Sequence, residues 1–247
     1  MTKYFTFDRL NNDRILSLYS KKPMDFNTSI VGEEGKRLLY EQIEQDFGYS
    51  FRKVKKCTRQ VHSDKVVVVT EENLEQETGE ADGLITDLRG VALEIRTADC
   101  QSIFLYDPVR GVIGNVHSGW KGTLHGIVLN AIRKMTGHYG CRPADIEAYI
   151  NPSILGCSFE VEDDVVDQFR AVTDVSRYCR KYRVLDGRQK YLMDTAALNR
   201  DAMIAEGLSA SGIFLSGICT MCHHDEYHSY RGDGRSTGRN GSLICLK

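Results

Sequence analysis

Four short segments of this 247-residue chain gather side chains able to bind metals, move protons or hold anions. They are Gln60-Val61-His62-Ser63, Thr97-Ala98-Asp99-Cys100, His117-Ser118-Gly119-Trp120-Lys121-Gly122, and the stretch from Ser229 to Arg239. His62, Cys100 and His117 together offer two imidazoles and a thiol. A catalytic zinc uses three such protein ligands and keeps a fourth position open. A blue-copper centre uses the same His₂Cys set. Cys100 with His117 alone would suffice for a nucleophile and its base. The gaps between the three are long, so spacing does not choose among these readings. Each residue also has a plainer one: a hydrogen-bonded histidine, or a cysteine acting as a small buried hydrophobe.

Two anion-binding signals accompany them. Gly119 and Gly122 flank Trp120 and Lys121 just before a helical pattern, where free backbone amides favour an anion and Lys121 adds charge. Near the C-terminus, Arg231, Arg235 and Arg239 alternate with Gly232, Gly234 and Gly238. Glycine lets a backbone come close to a ligand, and arginine grips phosphate or carboxylate with two donors. A tight turn and a solvated basic loop are the plainer readings. Cys219-Thr220-Met221-Cys222-His223 fits the c-type haem attachment pattern, which requires export. With His223, His224 and His228 it could form a second zinc site; thiols in a strand-to-loop turn are the simpler alternative.

The elements that must position these segments alternate. Apolar spacing predicts a helix over 34–47, with Leu38, Leu39, Gln42, Ile43 and Phe47 near one face. Strands are expected over 66–70, 91–96, 102–106, 111–117, 146–150, 213–216 and 242–245. Leu124, Ile127, Val128, Ala131, Ile132 and Met135 predict one amphipathic helix ending near Gly137. A short helix is expected over 163–170. Asp194 can cap another that stops at Gly207. No Gly-x-Gly-x-x-Gly follows a strand, and no Gly-x-x-x-x-Gly-Lys-Ser/Thr is present, so nucleotide folds of those kinds lose support. The pattern favours an α+β fold with mixed sheets.

Composition limits the function classes. The length lies between one and two domains, and no linker or repeat divides it. A chain of this size buries roughly 70–75% of its unfolded surface, so it needs no disulfide or metal to fold. The net charge of −2 argues against a nucleic-acid binder. The beginning lacks the apolar stretch of a secretion signal, and no apolar run approaches the ~18 residues of a membrane span. The eight cysteines are then expected as free thiols in a reducing cytoplasm.

In order, the segments resemble the laccase-domain or polyphenol oxidase family, also called YfiH-like. Its members are regarded as zinc-dependent purine nucleoside phosphorylases with adenosine deaminase activity. Gln60-Val61-His62 resembles the family's Gln-Val-His. Ala81-Asp82-Gly83-Leu84-Ile85-Thr86 is similar to its Ala-Asp-Gly-Leu-Val-Thr, and Thr97-Ala98-Asp99-Cys100 to its Thr-Ala-Asp-Cys. The 117–122 segment resembles His-Ala-Gly-Trp-Arg-Gly, and 150–161 resembles Ile-Gly-Pro-x-Ile-Gly-Pro-Cys-Cys-Tyr-Glu-Val. Cys219-Thr220-Met221-Cys222 and 229–244 resemble Cys-Thr-Tyr-Cys and Ser-Tyr-Arg-Arg-Asp-Gly…Thr-Gly-Arg…Ser-Leu-Ile. Departures include Lys121 for Arg, Gly232 for a second Arg, Asn151 and Ser63 for Gly, and Lys21 for Arg in a weakly kept N-terminal segment.

The resemblance implies one YfiH-like catalytic domain over 1–247, with mixed sheets layered against outer helices (α/β/β/α). It implies zinc on His62, Cys100 and His117, with copper as the alternative. Asp99 becomes a proton carrier beside the metal or a partner that orients its ligands. Lys121 and Arg231 are expected to hold phosphate, and Gln60, Lys21 and Asn27 to belong to the substrate site. Adenosine and inosine are the expected substrates, with guanosine and methylthioadenosine as further candidates. Neither nucleic acid nor membrane is expected as a partner, and the chain is a monomer or homodimer. The rival readings are a copper phenol oxidase, a metal-independent cysteine hydrolase using Cys100 and His117, and a non-enzymatic member that binds a nucleotide or a protein.

Overall fold

Val91, Leu93 and Ile95 point to one side of a strand, while Ala92 and Glu94 point to the other, and both sides are buried. A strand buried on both faces requires a layer above and a layer below. The computed structural model, which describes residues 2–247, supplies both. Its strands are β1 (Tyr4–Phe5), β2 (Ile15–Ser20), β3 (Lys53–Lys56), β4 (Val66–Val68), β5 (Gly83–Thr86), β6 (Val91–Thr97), β7 (Gln101–Asp107), β8 (Val112–Ser118), β9 (Glu147–Ile150), β10 (Glu160–Glu162), β11 (Cys179–Leu185), β12 (Arg188–Met193), β13 (Ile213–Leu215) and β14 (Asn240–Leu246). Its helices are α1 (Thr28–Phe47), α2 (Trp120–Leu124), α3 (Ile127–Tyr139), α4 (Asp163–Arg170), α5 (Thr195–Ala205) and α6 (Tyr230–Asp233).

Two mixed sheets stack face to face. One runs β1-β2-β14-β6-β3 and the other β13-β9-β7-β8-β5-β4. Leu84, Phe104, Ile113 and Tyr149 of the second meet Ile15, Leu93, Ile95 and Ile244 of the first. Polar ties fix the stack: Asn115 donates to the carbonyls of Leu93 (3.0 Å) and Ser242 (2.9 Å), and Ser102 donates to the Ser242 hydroxyl. α1 covers the outer face of the first sheet through Leu39, Tyr40 and Ile43. α3 and α5 cover the second through Val128, Ile132, Met135, Ala196 and Met203. The layering is α/β/β/α, as the resemblance implies. A small antiparallel sheet, β10-β12-β11, packs with α4 beside Trp120, Leu124 and Phe159.

Some sequence expectations need correction. The helix expected from 124 to 137 is two helices, because Gly126 takes a left-handed conformation (φ 71°) between them; the second runs on to Gly140. The apolar spacing groups Leu38 with Leu39 and Ile43 on one face of α1, but Leu38 is 52% exposed. Lys36 is buried there instead, with its ammonium 2.8 Å from both Glu94 oxygens. α4 and the Asp194 cap stand as expected, the cap accepting from the Ala197 amide. Strands β1, β2, β3, β5 and the three-stranded sheet lie outside the expected set, although β2 and β5 are fully buried.

Candidate active site

β7 and β8 are antiparallel neighbours, so the start of one and the end of the other lie side by side. Cys100 immediately precedes β7 and His117 is the penultimate residue of β8. The loop after β3 brings His62 to the same point. The coordinating atoms of His62, Cys100 and His117 all lie within 4.8 Å of one another. The two imidazole rings meet edge to face, centroids 4.7 Å apart. Residues from three distant parts of the sequence thus converge as expected.

Asp82 organises this convergence. It is fully buried just before β5. One carboxylate oxygen accepts from the His62 amide (3.0 Å) and bonds His117 Nδ1 (2.9 Å). The other accepts from the amides of Val61 (3.1 Å) and Ser63 (2.7 Å) and from the Ser63 hydroxyl. Burial would raise this carboxyl, but the His117 and Ser63 bonds overcome it and hold it at about 2. With Nδ1 held, His117 turns Nε2 toward the other two residues. Burial would lower His117, but Asp82 and then Cys100 hold it up at about 9. His62 is lowered by burial and by the nearby His117. A cation replacing the His117 proton would find the ring already oriented, and metal binding of this kind releases protons.

Gly119 leaves the space into which the three converge. A Cβ there would stand 2.6 Å from His62 Nδ1 and 3.1 Å from Cys100 Sγ. Behind the cluster, a buried network locks α5 to β7, β8 and α2. Asn199 donates to Gln101 (2.9 Å), Ser118 (3.1 Å) and Thr123 (3.2 Å), while Gln101 donates to Thr195.

The cluster opens onto a cavity of about 650 Å³. Its wall includes Asp99, Asn27, Gln60 and Arg231 but neither Lys121 nor Lys21. Asp99 has a positive φ (83°), and its carboxylate bonds the C-terminal loop rather than His62, Cys100 or His117. Oδ1 accepts from Thr220 and Ser229 hydroxyls (both 2.7 Å), and Oδ2 accepts from the Arg231 amide (2.6 Å). Gln60 spends its side-chain amide on the Arg96 backbone, donating to its carbonyl and accepting from its N–H. Asn27 caps α1. Lys21 pairs with Glu226 (2.7 Å), and Lys121 lies over the Trp120 ring, exposed.

The anion signals change accordingly. α2 has only five residues, too few for an extended dipole. In the C-terminal loop, the space left at Gly238 is filled by Asp25, whose carboxylate a Cβ would approach to 2.4 Å. That glycine admits this chain's own segment rather than a ligand. Arg231 and Arg239 line the cavity, whereas Arg235 does not. Asp82, Arg59, Arg96, Trp120 and Phe159 had been given no role in the sequence reading. Asp82 stood in a segment the resemblance had marked, and Arg96 directly precedes another.

The chain is similar to several known proteins. Residues 37–247 match the family described as multi-copper polyphenol oxidoreductase laccase. Among similar proteins, "Purine nucleoside phosphorylase YlmD" of Bacillus subtilis is 33% identical over 76% of this chain and 69% of its own. "Adenosine deaminase RL5", from an unknown prokaryotic organism, is 32% identical over 76% of this chain and 74% of its own. The crystal structure of Bacillus licheniformis YfiH superposes with a TM-score of 0.83 at 26% identity, covering 94% of this chain and 93% of that one.

Proposed function

The chain belongs to the laccase-like family, and on that premise we propose that it is a purine nucleoside phosphorylase, a single catalytic domain over 1–247 holding zinc through His62, Cys100 and His117. The carrying observation is the convergence of those three residues, with Asp82 behind His117 and no side chain at Gly119. The donor set suits zinc: two imidazoles, one thiol, and an open side facing the cavity. A carboxylate on the far nitrogen of a ligating histidine fixes its tautomer and raises its basicity. When bound there, zinc supplies Lewis acidity and brings the pKa of a water toward neutrality.

The chain's own residues then bind and orient. Trp120, Phe159 and Tyr230 offer aromatic faces to a flat purine ring. Arg231 is our assignment for phosphate. Its guanidinium lies 5.9 Å above the Phe159 ring and uses one nitrogen on the Glu160 carbonyl, leaving donors for an anion. Lys121 and Lys21, outside the cavity wall, act at most through their charge. Asp99, with its oxygens engaged, positions the Arg231 amide and the turn leading into Cys100. Adenosine deamination, named for one relative, is proposed as a second activity of the same site. No described helix is long and apolar enough to cross a membrane. The free cysteines and the charge balance support a cytoplasmic enzyme of small molecules.

One observation favours a second reading. Cys100, His117 and Asp82 form a nucleophile, base and orienting acid in series. Activity that survives chelation but not alkylation would support this metal-independent hydrolase. The test of the main reading is a metal analysis followed by a nucleoside screen. Inosine with phosphate should yield hypoxanthine, and Cys100→Ala should lose both zinc and turnover. Copper in place of zinc would colour the protein blue. Absence of product across several purine nucleosides would overturn the phosphorylase reading.

A further inference from the structure

Three cysteines outside the proposed active site also converge. Cys157 lies in the loop after β9, and Cys219 and Cys222 lie in the turn after β13. The two loops are laced together: Ser153 donates its amide to the Ile218 carbonyl (3.2 Å), and the Thr220 amide donates to the Ser153 carbonyl (3.1 Å). The three sulfurs lie within 4.8 Å of one another, and none is in a disulfide. Cys157 Sγ is 3.8 Å from Cys222 Sγ. Two sulfurs held tetrahedrally at about 2.3 Å from one zinc ion stand about 3.8 Å apart.

A hydroxyl donor sits among the sulfurs. The Ser158 hydroxyl lies 3.2 Å from Cys222 Sγ and 3.5 Å from Cys157 Sγ, placed to donate to either. Cys219 is buried at the base, while Cys157 and Cys222 are exposed. A cation therefore has an approach from solvent and a fourth position facing outward. His224 Nδ1 bonds Asp233 and His228 Nε2 bonds the Met24 carbonyl, and neither these nor His223 places a donor atom in the cluster. The donor set is all sulfur.

We propose that Cys157, Cys219 and Cys222 form a second metal site, binding one thiophilic divalent cation of the zinc type through three thiolates and a solvent molecule. Each thiol releases its proton to solvent as the cation enters. The ion would brace two walls of the main cavity. Thr220, next to Cys219, holds Asp99, and Phe159, two residues after Cys157, lines the cavity. The inference stands apart from the nucleoside reading, since it depends on neither substrate nor turnover.

Cadmium tests it, because each cadmium–thiolate bond adds ultraviolet charge-transfer absorption. The full-length protein should bind two equivalents per chain. Cys100→Ala should keep one, with the absorption of three sulfurs. The double variant Cys219→Ser/Cys222→Ser should also keep one, with the absorption of one sulfur. Cys157→Ser, at an exposed position, serves if the double variant fails to fold; it should cut the Cys100→Ala signal by a third or abolish it. Cadmium should also slow alkylation of all three thiols, mapped by mass spectrometry. A single equivalent in the unaltered protein, none in Cys100→Ala, and unchanged alkylation would overturn the proposal.

Discussion

Gly119→Ala isolates the proposed metal centre from the fold. Gly119 caps the start of α2 with φ −71° and ψ 175°, a conformation open to any residue. Alanine gains about 0.4–1 kcal/mol there by restricting the unfolded chain. It loses a similar amount as a poorer cap than glycine. The melting temperature of the metal-free protein should therefore move by no more than about 4 °C. The metal site should suffer far more. The added methyl would stand 2.6 Å from His62 Nδ1, about 0.8 Å short of the 3.4 Å at which ordinary contact begins. Metal–ligand lengths tolerate only about ±0.2 Å. Losing an outer partner of a ligand weakens zinc binding about 10–100-fold; displacing the ligand itself should cost at least that. Competition with a chelator of known affinity gives the ratio, and calorimetry of the metal-free protein gives the fold control. Zinc affinity within twofold of the unaltered protein would refute the placement of the ion beside Gly119.

Four further outcomes follow from the structure. Lys36→Met strips the ammonium from buried Glu94, leaving it the Tyr40 hydroxyl and Arg96 at 3.9 Å, and should destabilise by about 3 kcal/mol in urea unfolding, whereas Lys36→Met with Glu94→Leu should recover most of that. Arg231→Ala should raise the KM for phosphate at least about tenfold, consistent with loss of a charged hydrogen bond, and barely change that for nucleoside. Lys121→Ala should leave both within twofold in steady-state kinetics. Asp233 has the clearest pH signature. Burial would raise it, but Lys22, His224 and the Ser229 amide hold it well below the usual carboxylate range. Its folded pKa is depressed, so its stabilisation is complete above about pH 4 and is lost as pH falls toward the folded value. Thermal melts of Asp233→Asn and the unaltered protein should therefore differ most at neutral pH and converge in acid.

The sequence reading and the structure agree where a local rule dominates. The β7 and β8 pair, α4 and the Asp194 cap each follow from a pattern within a few residues. They fail to agree where the partner is remote. β2 is buried on both faces between β1 and β14, so its run Ile-Leu-Ser-Leu-Tyr-Ser shows no clean alternation of apolar and polar residues. Lys36 reads as an exposed charge until Glu94, on a strand far along the chain, is brought beneath it. The break at Gly126 is invisible to an apolar spacing that continues through it with the right period.

The same division explains the site. Histidine and cysteine announce themselves by type, so His62, Cys100 and His117 could be named as a set before any fold was known. What turns a set into a site is less conspicuous. Asp82 does nothing in sequence that a surface aspartate would not, yet five hydrogen bonds make it the common support of His62 and His117. The resemblance makes Asp99 a proton carrier or a partner that orients the ligands. Its carboxylate bonds Thr220, Ser229 and the Arg231 amide, where it joins the C-terminal loop to the cavity. Removing Asp82 should therefore cost metal, while removing Asp99 should first cost the placement of Arg231. Comparing zinc affinity with the phosphate KM in Asp82→Asn and Asp99→Asn separates the two. Equal loss of zinc from both would mean that Asp99 supports the ligands after all.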